Sequence, residues 1–214
     1  MPAFICTACG TQYPPSEAPP GACPICTDER QFVPASGQSW TTLEALRKAH
    51  SNKFRRLAPG LTTIETTPTF GIGQRAILAR SPGGNVLWDC IALVDDATVD
   101  LLQGMGGVAA IAISHPHYYT TMLEWSRALG GVPIHLHAAD RQWAMRADPA
   151  VQFWEDDTKP SDRASPWSGW AGTSRAAPSC IGRTGKRVAA YCSRATSFRS
   201  SQAGTSASCG RTQT

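Results

Sequence analysis

The spacing of hydrophobic and polar positions changes character twice along this chain. Leu43, Leu46 and Ala49 recur at helical spacing, and Thr41 followed by Glu44 has the form of a capping box, which predicts a short helix at 42–50. Beyond Pro59 the pattern turns to β. Residues 61–67 are rich in β-branched side chains, and 71–80 and 85–89 flank the turn sequence Ser81-Pro82-Gly83-Gly84, which predicts a hairpin. A short helix is predicted at 96–102. The continuous apolar run 108–113 reads as a strand buried on both faces. Met122, Trp125 and Leu129 then share one face of a predicted helix at 119–129, ended by Gly130 and Gly131, and 132–136 is the next strand. Residues 153–157 fit a helix end or a surface loop.

The second change falls near Thr158. Residues 159–214 contain no leucine, one isoleucine, one valine and one phenylalanine, against eleven serines. A segment so poor in apolar groups cannot offset its ordering entropy, so it is expected to be disordered. Three parts are therefore expected: a cysteine-bearing module at 1–36, an α/β portion at 37–158 and a low-complexity tail at 159–214.

Charge sharpens that division. The overall formal charge of +4 averages two opposite segments: eleven Lys/Arg against fifteen Asp/Glu up to residue 158, and nine Lys/Arg against one acid, Asp162, after it. The first segment is mildly acidic and offers no footprint for nucleic acid or a membrane surface. Its longest apolar run is too short to span a bilayer, and the first thirteen residues lack the form of a signal peptide. A cytoplasmic location is the expectation, and cysteines there more often hold metal than form disulfides.

Cys6-Thr-Ala-Cys9 and Cys23-Pro-Ile-Cys26 are two CxxC pairs separated by thirteen residues. Each CxxC turn lets two thiolates converge on one cation, and two turns complete a tetrahedron suited to structural Zn²⁺. Two disulfides are the alternative and need an oxidising compartment. Iron in place of zinc is compatible with the same spacing. The arrangement resembles rubredoxin-like zinc ribbons. A site closed by four cysteines stabilises and does not catalyse.

The apolar run 108–113 ends in Ser114-His115-Pro116-His117-Tyr118-Tyr119. Polar residues at the carboxyl end of a buried strand occupy the place where layered α/β proteins bind ligands. His115 and His117 can present both rings to one Zn²⁺ or other divalent ion, with Pro116 restricting the backbone between them. The alternative is a pair of loop histidines bonded to backbone and water.

With Asn85-Val-Leu-Trp-Asp89 upstream, Ile111-Ala-Ile-Ser-His115-Pro-His117 resembles the metallo-β-lactamase superfamily over about residues 59–158. The chain is closer still to an uncharacterised subgroup that joins an N-terminal cysteine ribbon to the run VPIHLHAADRQW, here at 132–143. The resemblance implies an αββα sandwich, incomplete here, and a metal-dependent hydrolase of unknown small-molecule substrate. It implies that His115 and His117 are metal ligands and that Asp89 is a catalytic-site carboxylate orienting its neighbours. His137, Asp140 and Tyr119 are candidates to line the site behind those ligands. Tyr119 stands where the family has an aspartate and Thr120 where it has a histidine, which argues against a two-metal mechanism.

The family also needs a later histidine and a Gly-Asp pair, and no histidine follows His137. Read one frame over with permitted third bases, the tail from Trp170 allows GGHFPGGTVLHW, and 194–196 allow GD. Residues from about Thr158 onward are thus expected to be the product of a frameshift. The chain as written would then lack its later metal ligands and be inactive. The competing reading is a non-catalytic zinc-ribbon module that binds a protein or nucleic acid partner.

Overall fold

The computed structural model describes residues 1–27 and 37–155. The expected tail at 159–214 lies outside the described residues, as do 28–36. A three-stranded antiparallel sheet opens the chain, in the order β2-β1-β3, from β1 (Ala3–Cys6), β2 (Gln12–Pro15) and β3 (Trp40–Thr42). Helix α1 (Leu43–Ala49) starts directly after β3. Its N-cap is Thr42, whose hydroxyl accepts from the Ala45 N–H at 3.2 Å. The expected capping box on Thr41 does not form, because Thr41 is held in the sheet opposite Ile5.

The main body is a seven-stranded sheet in the order β10-β9-β8-β7-β6-β5-β4. Its strands are β4 (Ser51–Ala58), β5 (Leu61–Thr67), β6 (Arg75–Ala79), β7 (Val86–Trp88), β8 (Ala110–Ala112), β9 (Ile134–His137) and β10 (Val151–Trp154). From β4 to β7 they pair antiparallel as a meander; from β7 to β10 they pair parallel. Helices α2 (Asp96–Gly104) and α3 (Met122–Ala128) lie in the crossovers of the parallel half. The architecture is mixed α/β, as expected.

The run 108–113 yields a strand of only three residues, and α3 begins later than expected because Pro116–Tyr118 forms a 3-10 turn. Residues 153–154 end β10. Neither the helix end nor the surface loop expected for them is found, since Phe153 and Trp154 pair with Leu136 and His137 of β9.

Alternation within the strands builds two apolar faces. One carries Ile64, Leu78, Leu87, Ile111 and Ile134, packed against Leu102 of α2 and Met122, Trp125 and Leu129 around α3. The other carries Leu61, Ile77, Ala79, Val86, Trp88, Ala110 and Ala112, all buried. Trp125, fully buried, donates its indole N–H to the Ile91 carbonyl at 2.8 Å, which ties α3 to the segment after β7.

Among the described residues, the outer strand β4 pairs only with β5, and it carries Lys53, Arg55 and Arg56. Glu65 of β5 lies 3.2 Å from Lys53 and 3.7 Å from Arg55. The inward Asn52 belongs to a polar network, its amide donating to Leu93 O, Asp95 Oδ2 and Thr98 Oγ1 at 2.9–3.1 Å.

The cysteine module sits against the end of the sheet that bears the histidine loop. The Gln12 N–H donates to Thr120 O at 3.1 Å. Arg146 bonds Glu124 of α3 at 2.7 Å and also the Gln12 side chain. Trp143 and Met145 pack on the cysteines and Tyr13.

Candidate functional site

Two groups of metal-ligating side chains were expected, and they differ in how complete they are. The four thiols of Cys6, Cys9, Cys23 and Cys26 are buried, and their sulfurs lie within 4.8 Å of one another. Cys6 Sγ is 3.7 Å from Cys26 Sγ, and Cys9 Sγ is 3.5 Å from Cys23 Sγ. A disulfide needs a separation of about 2.05 Å, so the cysteines are not bridged. Sulfurs about 2.3 Å from a central ion at the corners of a tetrahedron stand about 3.8 Å apart. The observed spacing matches that, and the cluster can hold a metal ion.

The backbone shapes the cluster. Gly10, at φ +79°, follows the first pair, and its N–H donates to Cys6 O at 2.8 Å; the Cys26 N–H donates to Cys23 O at 3.0 Å. The Tyr13 hydroxyl donates to Cys23 Sγ at 3.0 Å. The Cys23 thiol is held well below its usual range, first by donation from Cys26 and then from Cys6 and Cys9, while Cys9 is pushed up, chiefly by Cys23. Thiols packed this closely cannot all ionise without a cation among them, and metal binding would displace their protons.

The second group gathers at the carboxyl ends of β7, β8 and β9. His115 caps the 3-10 turn, with its Nδ1 accepting from the His117 N–H at 3.3 Å, and Pro116 follows at the first turn position. The two imidazoles stack, 4.8 Å between centroids and 9° between planes, and their Nδ1 atoms are 2.9 Å apart. Nitrogens about 2.0–2.1 Å from one ion are separated by roughly 2.9–3.4 Å for ligand angles from 90° to tetrahedral. The pair can therefore share one cation or one proton, and charging both rings at that distance is unfavourable.

Asp140, in the 3-10 segment after β9, joins them from another loop. Burial raises its carboxyl above the usual range, and the nearby His115 and His137 pull it back. Tyr119 is 2 % exposed; burial pushes its hydroxyl well up, and Asp140 adds to the shift. A phenol that is harder to ionise is a poor anionic ligand. His137 ends β9 and packs edge-on against Trp154 of β10, 4.5 Å between ring centroids.

Asp89 immediately follows β7, at φ +62°, in the left-handed region that aspartate tolerates better than most residues. Its N–H donates to Ala112 O at 2.8 Å. Its carboxylate accepts from the Ser114 N–H at 2.8 Å and from the Ser114 hydroxyl at 2.9 Å, fixing the start of the histidine loop. Among the described residues, no set of three or more His, Cys, Asp or Glu outside the four cysteines brings ligand atoms within 4.8 Å. The histidine group does not form such a set.

Burial pushes the Asp89 carboxyl up to about 7, against the lowering effect of the Ser114 donors. The folded state therefore holds this proton to higher pH than the unfolded chain. Between about pH 4 and pH 7 the unfolded chain releases it first, so stability falls as pH rises through that window and levels above it. Asp89→Asn keeps an acceptor for Ser114 and removes the titration. The wild type should lose about 2–3 kcal/mol more than Asp89→Asn between pH 5 and pH 8, measured by urea denaturation. Parallel pH profiles for the two would contradict a buried carboxylate here.

Gln74 is a site residue that the sequence did not reveal. It is 6 % exposed, and its amide nitrogen donates to the carbonyls of both Cys9 and His117. A lone glutamine before a strand carries no pattern that would single it out.

Fold and site together define a mixed α/β protein with an N-terminal four-cysteine module docked beside a paired-histidine loop. Over 160 residues it is 43 % identical to the uncharacterized protein YmaE of Bacillus subtilis (strain 168), a match that takes in 74 % of this chain and 58 % of that protein. This chain thus spans less than two thirds of that relative's length. No family model matches the chain. Among the described residues, no helix is long and apolar enough to cross a membrane.

Proposed function

We propose that residues 37–158 are the first portion of a metallo-β-lactamase-type, metal-dependent hydrolase of an unknown small-molecule substrate, preceded by a structural zinc ribbon. The observation that carries this reading is the pair of Nδ1 atoms 2.9 Å apart at the end of a buried parallel strand. His115 and His117 would hold a Zn²⁺ or other divalent ion, Asp89 would position their loop through Ser114, and Asp140, His137 and Tyr119 would line the cleft. A divalent ion there would supply Lewis acidity toward water and a substrate oxygen.

The chain as written is inactive in this reading, because the segment after about Thr158 is out of frame and lacks the remaining ligands. The matched length of 160 residues, close to the 158 that precede the change in composition, supports this. A second reading, a non-catalytic module binding a protein or nucleic acid, draws on buried Tyr119 in place of an anionic ligand.

Metal counting separates the two. The chain should bind one ion tightly at the cysteines and a second weakly. Repairing the frame by one base near Thr158 should tighten the second site, and His115→Ala should then weaken it by more than about 100-fold, beyond the usual cost of losing an outer hydrogen bond. One ion per chain in the frame-repaired protein would remove the hydrolase reading and leave the binding module.

A further inference from the structure

The two metal-ligand groups are covalently remote, yet one side chain touches the backbone of both. Gln74 Nε2 donates to Cys9 O at 2.5 Å and to His117 O at 3.0 Å. The amide's orientation follows from its partners: turned over, its carbonyl would face two carbonyls. Two glycines make room for it. A Cβ on Gly71 would come within 3.0 Å of Gln74 Oε1, and one on Gly10 within 3.5 Å of Nε2, and both glycines have positive φ. A second strut runs beside it, from the Gln12 N–H to Thr120 O. Thr120 itself sits at φ +33°, sparsely populated for a β-branched residue, and its methyl lies 3.4 Å from where a Gly10 Cβ would be.

We infer that Gln74 is a positioning residue through which the metal-bound cysteine module sets the conformation, and so the metal affinity, of the His115–His117 loop. This rests on the reading of that loop as a metal half-site. The cysteine cluster is then more than a staple for the N-terminus. It is the platform on which the loop is held, and its loading with metal governs the second site. Carbonyls at Cys9 and His117 face each other across one amide, so removing the donor takes away this link and leaves the Gln12–Thr120 strut alone to hold the loop to the module here.

The test uses the full 214-residue chain loaded with Co²⁺ at pH 8, where thiolate-to-cobalt absorption reports the cysteine site separately. Gln74→Met removes the donor at similar volume; Gln74→Glu keeps the shape and turns the donor into an acceptor. Both should leave the thiolate–cobalt band intact. Both should lower affinity for a second Co²⁺ by about 10–100-fold, the range for an outer support of a ligand, and speed amide exchange across residues 114–121 at least tenfold. Gln74→Glu should be the more severe, which a packing role would not predict. Unchanged exchange and affinity in both variants overturn the inference, as does loss of the thiolate band together with the fold. If the wild type takes up no second Co²⁺ while the exchange result holds, the loop is positioned by Gln74 and the metal reading of the proposed function fails instead.

Discussion

Replacing Cys6 by serine, or stripping the cysteine cluster with a strong chelator, should unfold the N-terminal module and lower the melting temperature of the whole chain. The module has little else to hold it. Its three strands have three or four residues each, and among the described residues its buried apolar side chains are the four cysteines with Tyr13 and Ile25, plus Ile5, which packs on Leu46, Ala92 and Leu93. Structural Zn²⁺ sites contribute about 10–16 kcal/mol of apparent binding free energy in small zinc modules, comparable to the entire stability of a typical domain, about 5–15 kcal/mol. The loss should extend past residue 42, because Trp143 and Met145 pack on the cysteines and Gln12 hydrogen-bonds Thr120. Circular dichroism melts with and without chelator, alongside elemental analysis, provide the check. An unchanged melt after complete removal of the ion would mean that the cluster does not rely on metal.

Trp125→Ala should be nearly as damaging, at about 3–5 kcal/mol. Among the described residues, Trp125 is the largest fully buried side chain, and it lies in the cluster shared by the sheet, α2 and α3. Truncation leaves a cavity that rigid β8 and β9 cannot fill, and it strands the Ile91 carbonyl that accepts the indole N–H. Thr121 donates to the same carbonyl at 3.1 Å, so part of the polar loss is covered and the cavity dominates. Trp125→Phe should therefore cost clearly less. Urea denaturation of the three proteins decides it; a shift below about 1 kcal/mol for the alanine variant would show that α3 is not anchored as described.

Local chemistry made much of this legible in the chain. The β-branched run gave β5 with its observed ends, the Ser-Pro-Gly-Gly turn gave the β6–β7 hairpin, and the two CxxC pairs gave the thiol cluster. Strand β4 was missed because Asn52 occupies an inward position and is satisfied by distant Leu93, Asp95 and Thr98, while a register shift between Arg56 and Ala58 breaks the alternation. Strand β10 was missed because its four residues are short and mixed, and their pairing with β9 is defined only once the sheet exists. The bridging by Gln74 depends on loops that meet through the tertiary fold, and no local spacing encodes it.

The basic outer strand has a consequence for how molecules meet in solution. A bare β edge offers a row of backbone donors and acceptors to any similar edge. Here two copies approaching along β4 would bring Lys53, Arg55 and Arg56 of each face to face, with one glutamate per copy, Glu65, to soften the encounter. Repulsion between these charges would oppose such pairing, and dissolved salt, which shortens their reach, would weaken that opposition.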